Sequence, residues 1–384
     1  YLLQNDRFDE ALRIYREVLR FINKNDDKNF LSYVFESEKL NDADRNESKE
    51  ITKNDGFTLM NASGKIRSGN FSQAAEILTN LLKEKPKSIV ANYLSGDALT
   101  GLGKTDQATV AYKEAVKQEI LSNKDNIEDV APYLTGEPSE PKFMVIGFAK
   151  CGTTSLYRYM VQHPQIFPAA KKEIMFFSEH FSNGINWYRA HFPSLLDAEK
   201  EITGEASAHY IDHPYACDRI YKTYPNAKFI ILLRNPVERS ISDYEMWIRY
   251  GIEDRDISRA MNAEIERVSS TSDFYFEEEF RDTKPSFVSS SLYIYGIKRW
   301  MGLFDRKQFL ILDTQKFSMY PEETLNQVFK FLDIPEYKLP NYPRYNKGEY
   351  EGYSDYPIFD HLSEFFKPYN QQLQDYLGMT FDWN

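Results

Sequence analysis

The sequence predicts an α/β protein, a parallel sheet with helices on both faces, preceded by an all-α helical-repeat domain. Three observations carry this expectation. From Phe143 onward, short apolar runs alternate with amphipathic helical patterns. Earlier in the chain, the turns Gly69-Asn70-Phe71 and Gly103-Lys104-Thr105 stand 34 residues apart. At the same interval Ala74 matches Ala108, and Leu78 matches Tyr112.

The helical region comes first in the chain. Residues Asp6 to Leu12 look like a further copy that lacks its first helix. Ala11 precedes Ala74 by 63 residues, five short of two periods, and the charged stretch Glu36–Asp55 carries that irregularity. The segment resembles tetratricopeptide repeats with an incomplete signature. Residues 1–121 are therefore expected to stack as helical hairpins, each burying its face on the next. A non-repeating helical domain is the alternative. Repeats of this kind bind partners, so a protein partner is expected here and no chemistry. Because the chain opens at Tyr1 inside a repeat, it is expected to be a fragment of a longer protein.

Residues 122–142 hold Asp, Glu, Asn, Pro and Gly without a sustained period and read as a linker. The α/β domain follows over 143–384. Its strands are expected at Phe143–Gly147, Phe229–Leu233 and Phe309–Leu312, with helices over Thr153–Gln162 and Val237–Arg249.

Composition narrows the function. A chain of 384 residues that is 42% hydrophobic and 27% charged is globular and long enough for two domains. Its net charge of −11 divides as −5 over residues 1–140 and −6 over 141–384, so no nucleic-acid partner is expected. Apolar runs such as Phe229–Leu233 fall far below the roughly 20 residues that span a bilayer, so no membrane span is expected. Two cysteines, Cys151 and Cys217, build no disulfide framework, which makes a reducing, cytoplasmic setting the default. No metal-ligand spacing occurs.

The first strand runs into Gly147-Phe148-Ala149-Lys150-Cys151-Gly152-Thr153-Thr154-Ser155. A glycine-bearing turn between strand and helix presents backbone N–H groups to an anion. The G-x-x-x-x-G spacing suggests a nucleoside-triphosphate loop, but that motif needs a lysine after the second glycine. Here Thr153 follows Gly152 and the lysine stands earlier, at Lys150, which disfavours an ATP or GTP hydrolase. A cation on the crest suits a bridging oxygen where leaving-group charge develops. Cys151 and Gly152 complete the turn, while Thr153, Thr154 and Ser155 add donors for a 5′-phosphate. The bland alternative is a βα turn with a solvated lysine.

The strand Phe229–Leu233 ends on Arg234, and Pro236 starts a helix that carries Ser242. An arginine at the carboxyl end of a parallel strand faces the crevice where open α/β sheets bind ligands. A guanidinium plus a hydroxyl suits a phosphate dianion. Two phosphate sites on successive βα units select a bisphosphorylated nucleotide over ATP. The alternative is an arginine capping the strand and a solvent-facing serine.

Pro141 to Leu156 resembles the 5′-phosphosulfate loop of sulfotransferases that use 3′-phosphoadenosine 5′-phosphosulfate (PAPS), most of all the heparan sulfate branch. The resemblance runs in blocks across residues 141–384 and implies the P-loop-like sulfotransferase fold, with PAPS as co-substrate and 3′,5′-bisphosphate product PAP. It implies that Arg234 and Ser242 hold the 3′-phosphate, and that Tyr293, in the Ser291-Leu292-Tyr293 block, helps form the nucleotide pocket. Arg344-Tyr345-Asn346-Lys347-Gly348 looks like the loop that closes over the cofactor, with Glu349 where relatives carry arginine.

Sulfuryl transfer to an alcohol needs a base for the hydroxyl proton. Glu173, in Lys172-Glu173-Ile174-Met175-Phe176-Phe177, matches the glutamate that serves as base in the heparan branch. The plainer reading of Glu173 is a surface carboxylate paired with Lys171 or Lys172. His209 is the alternative base, or else a structural histidine. Trp187 and Tyr188 offer either a sugar-stacking face or core packing. Relatives that sulfate the 3-hydroxyl of glucosamine carry histidine, aspartate and lysine where this chain has Met175, Ser178 and Ala206. These departures speak against heparan itself as the acceptor; the branch resemblance implies a glycan or glycolipid hydroxyl, ahead of an amine, a carrier-bound hydroxyacyl chain or a protein tyrosine. A nucleotide kinase and a non-catalytic repeat scaffold are the competing classes.

Overall fold

The computed structural model describes residues 53–123, 136–197, 200–249, 252–270, 286–343 and 352–383. The repeat copy expected at Asp6–Leu12 and most of the expected linker lie outside these residues.

The described chain opens with four helices: α1 (Lys53–Arg67), α2 (Phe71–Glu84), α3 (Ile89–Gly101) and α4 (Thr105–Asn123). Their packed face comprises Ala74, Leu78, Ala98, Ala108 and Tyr112, each fully buried. Ser88 caps α3 by accepting from the Ala91 amide at 3.3 Å. No described helix is long and apolar enough to cross a membrane.

The remainder is a five-stranded sheet made of β1 (Phe143–Gly147), β2 (Ile166–Phe167), β3 (Ile202–Ala206), β4 (Lys228–Leu233) and β5 (Phe309–Asp313). Every pair is parallel and the spatial order is β2-β3-β1-β4-β5. Helices cover both faces, among them α5 (Thr153–Met160), α6 (Ile185–Arg189), α7 (Ala216–Thr223), α8 (Pro236–Arg249), α9 (Ile257–Ser270), α10 (Tyr293–Leu303), α11 (Thr314–Met319), α12 (Pro321–Phe331) and α13 (Phe359–Leu377). The α/β expectation holds, and its reason is visible in the strands. All of β1 and the last five residues of β4 are buried, as covered parallel strands require.

Sequence patterning passed over β2 and β3. β2 has two residues, and β3 reads Ile-Thr-Gly-Glu-Ala, which is not an apolar run. Gly204 is required in β3 because a Cβ there would lie 2.3 Å from the Phe143 carbonyl oxygen. The strand order reverses about β1, with β3 on one side and β4 on the other. That reversal opens a crevice beyond the carboxyl ends of β1 and β4, where doubly wound sheets hold their ligands.

Candidate active site

The loop after β1 lies at this crevice. Gly152 caps α5 with φ 90° and ψ 13°, a left-handed conformation that glycine adopts without a Cβ penalty. Lys150 is left-handed too, at φ 69°. Three consecutive carbonyls of the loop are held from the protein side. Arg239 Nε donates to Ala149 O at 3.1 Å, Arg234 Nη1 to Lys150 O at 3.3 Å, and Thr314 Oγ1 to Cys151 O at 2.7 Å. Because a trans peptide's N–H points opposite to its C=O, the Lys150 and Gly152 amides are turned away from these anchors. Together with the start of α5, this is an anion-binding geometry.

The side chains follow from that frame. Lys150 is half-buried, with its ammonium 3.5 Å from the Met246 thioether on α8. Thr153 is 4% exposed and so faces the interior, leaving Thr154 and Ser155, both half-buried, as the hydroxyls at the surface of the first turn. Cys151 is fully buried with Sγ 3.7 Å from the Tyr293 hydroxyl, and burial pushes its thiol pKa up, so it is a loop residue and not a nucleophile.

Arg234 sits at the end of β4 as the sequence implied, and it is already engaged. Its Nε and Nη2 face the Glu238 carboxylate at 3.1 and 3.0 Å, Nη1 holds the loop, and Nη2 also meets the Tyr353 hydroxyl. Ser242, two turns into α8, is 3% exposed and faces the packed side of that helix. Tyr293 braces the end of β4 and the loop. It is 2% exposed, donates to Arg234 O at 2.9 Å, and packs its ring 4.5 Å from that of Phe148. Lys347, Gly348 and Arg344 lie outside the described residues.

Arg239 and Thr314 stand in no motif of the sequence, yet both hold the loop. Arg239 is buried, pairs with Asp243 at 2.7 Å, and donates to Phe287 O and Ser291 Oγ while holding the loop. The i,i+4 spacing reveals the Arg239–Asp243 pair. The contacts with Ala149 and Phe287 span 90 and 48 residues, and no local pattern announces them.

Glu173 lies at the same edge of the sheet. Its amide donates to Ala206 O, at the end of β3, at 2.9 Å. Its carboxylate accepts from the Ala208 amide at 3.0 Å and pairs with Lys172, the partner named by the plainer reading. Glu173 and Met175 both adopt positive φ, 57° and 53°, which side-chain-bearing residues rarely do. Hydrogen bonds to the end of β3 over-determine that conformation, since Met175 N also donates to Ser207 Oγ at 3.2 Å. His209 is exposed one residue beyond Ala208, so both candidate bases share this turn.

Behind the turn is a carboxylate that motif reading passed over as a candidate. Glu205 is fully buried and accepts hydrogen bonds from Tyr188 at 2.6 Å, Ser207 at 2.6 Å and Tyr210 at 3.1 Å. Burial pushes its carboxyl up to about 7, against the pull of these hydroxyls. An unfolded chain releases this proton near its ordinary value of 4.5. Between about 4.5 and 7 the unfolded state thus binds fewer protons, and stability falls as pH rises, by about 3 kcal/mol at full effect. Glu205→Gln is expected to flatten this dependence in denaturant titrations from pH 4 to 8; an unchanged slope refutes the assignment.

Trp187 and Tyr188 correct the sugar-stacking expectation. They are 1% and 0% exposed, closed off by Phe176, Phe177, Tyr112 and His191. A ring with no open face cannot stack on a sugar, so their aromatic character serves packing and the Glu205 network.

Known proteins agree with this architecture. "Membrane-associated sulfotransferase kil1" of Dictyostelium discoideum is 27% identical over 344 residues, 71% of this chain and 72% of the relative. "Heparan sulfate glucosamine 3-O-sulfotransferase 5" of Mus musculus is 28% identical over 267 residues, 63% of this chain and 74% of the relative. "Bifunctional heparan sulfate N-deacetylase/N-sulfotransferase 1" of Caenorhabditis elegans is 28% identical over 217 residues, but this chain spans only 24% of its length. A crystal structure of a sulfotransferase from Alicyclobacillus acidocaldarius superposes with a TM-score of 0.50 at 26% identity, over 63% of this chain and 98% of that one. The sulfotransferase domain model matches residues 140–372, more than half of the chain and the whole of the sheet with its loop, so the chain belongs to the sulfotransferase family.

Proposed function

We propose that the chain transfers a sulfuryl group from PAPS to a hydroxyl of a glycan or glycolipid. The observation that carries this reading is the loop at 147–155, whose carbonyls are tied back at Ala149, Lys150 and Cys151 so that amides and the Lys150 cation serve an anion at the sheet's carboxyl edge. Arg234, just past the end of β4, and Glu173, bonded to the end of β3, belong to the two strands that neighbour β1, and the donor set fits a nucleotide phosphorylated at two positions. When bound, PAPS supplies the sulfuryl group, whose bond to the bridging oxygen breaks as one to the acceptor oxygen forms. Glu173 takes the acceptor proton. Lys150 sits against the charge that develops on the departing phosphate oxygen, and the α5 amides hold that phosphate. Arg234 takes the 3′-phosphate by turning from Glu238 and Tyr353, and Ser242, buried on α8 in this structure, is the hydroxyl that the family resemblance gives to the same group. The heparan names of the relatives support a glycan acceptor.

The helical segment reads as tetratricopeptide-like. Gly69 and Gly103 share φ near 70°, at 73° and 70°, and Ala74 with Ala108 and Leu78 with Tyr112 are all fully buried at the 34-residue interval.

Calorimetry tests the cofactor class. Adenosine 3′,5′-bisphosphate is expected to bind more tightly than ATP, and Arg234→Ala to weaken it about tenfold to hundredfold, the worth of a charge-assisted hydrogen bond. An ATP preference, or no effect of the substitution, overturns the two-phosphate reading.

A further inference from the structure

The helical segment touches the rest of the chain where the candidate base is carried. Asp97 on α3 pairs with Lys171, two residues before Glu173, and each side chain is only 15% exposed. The Tyr112 hydroxyl on α4 donates to the same Asp97 oxygen at 2.7 Å, and Lys171 lies over the Tyr112 ring at 5.5 Å. Around this pair, Trp187 Nε1 donates to Thr100 Oγ1 at 2.9 Å, and the Tyr112 ring sits 3.9 Å from that of His191. Farther along α4, Val116 and Ile120 pack with Phe167 of the edge strand β2 and with Ala170.

The segment between β2 and Glu173 is thus tied down residue by residue. The Ala169 amide donates to the Tyr157 hydroxyl at 3.0 Å, the Ala170 amide to His191 O at 2.7 Å, Lys171 reaches Asp97, and the Glu173 amide reaches Ala206 O. Among the described residues, Lys171 is the member of this segment whose tie is an ion pair with the helical segment. Two adjacent lysines precede one carboxylate, and Asp97 claims the first while the second rests on Glu173.

We propose that Asp97 is a positioning residue for the base, acting through Lys171. By taking Lys171 it fixes the segment that presents Glu173 at its strained backbone angle, and it keeps a second ammonium away from the Glu173 carboxylate. The helical segment is then a working wall of the catalytic centre and not only a recruiting arm. This rests on the reading of Glu173 as the base.

The test uses the full chain with Asp97→Asn, Lys171→Ala and the double variant. Amide hydrogen exchange is expected to quicken about tenfold at residues 170–176 in Asp97→Asn and to stay unchanged at 148–155. PAP release from PAPS, with a desulfated glycosaminoglycan as acceptor, is expected to show kcat lowered about tenfold and affinity for PAP within twofold. If Asp97 acts through Lys171, the double variant is no worse than the poorer single. Asp97→Glu, which keeps the charge, is expected to recover most of kcat and serves if Asp97→Asn does not fold. Leu78→Ala, a core change on α2, is the control for simple destabilisation. Unchanged exchange at 170–176, additive losses, or an equal kcat loss in Leu78→Ala overturns the proposal. The two readings separate cleanly: near-normal turnover in Glu173→Gln removes the base assignment, whereas an inactive Glu173→Gln beside a normal Asp97→Asn removes the role of Asp97 alone.

Discussion

Lys150→Ala is expected to lower turnover by about 10²–10³ while PAP binding stays within a few-fold, as when one donor to a developing oxyanion is removed. Lys150 stands at the left-handed crest of a loop whose carbonyls at 149, 150 and 151 are held by Arg239, Arg234 and Thr314. Truncation therefore leaves the amide cradle standing and removes a charge that matters most once the bridging oxygen begins to leave. Pre-steady-state sulfate transfer with labelled PAPS, beside calorimetry of PAP, separates the two effects. Equal losses in binding and turnover would show that Lys150 serves ground-state binding only.

Glu173→Gln is expected to cost about 10²–10⁴ in kcat, the range of a positioned general base, with thermal unfolding close to the parent's. The amide retains an oxygen for the Ala208 N–H, so the turn after β3 keeps its bond. What it loses is the proton acceptor and the pairing with Lys172. Lys172→Ala provides the complementary measurement, because it removes the pairing but spares the base. If Glu173→Gln retains near-normal turnover, the exposed His209 in the same turn becomes the base, and His209→Ala is then expected to show the loss.

Local chemistry determined much of this protein. The apolar runs at 143–147 and 229–233, a loop with glycines five apart and its lysine before the second, an arginine at a strand end and the 34-residue interval of small and apolar residues are all patterns along the chain. Strand, turn and helix propensities act over the same few residues that such patterns span, which is why the parallel sheet and the strand-turn-helix around Gly147–Gly152 are legible. Aromaticity could not say whether Trp187 and Tyr188 faced a sugar or a core, since a ring packs equally well against either. Tertiary structure decided it by surrounding them with Tyr112, Phe176 and His191. It also brought Arg239 and Thr314 to the loop from 90 and 163 residues away, buried Glu205 among three hydroxyls, and set Asp97 on Lys171 across 74 residues. Such contacts belong to no window of sequence. They exist because an open parallel sheet gathers the carboxyl ends of distant strands at one edge, and because each buried polar group must find a partner wherever the fold brings one.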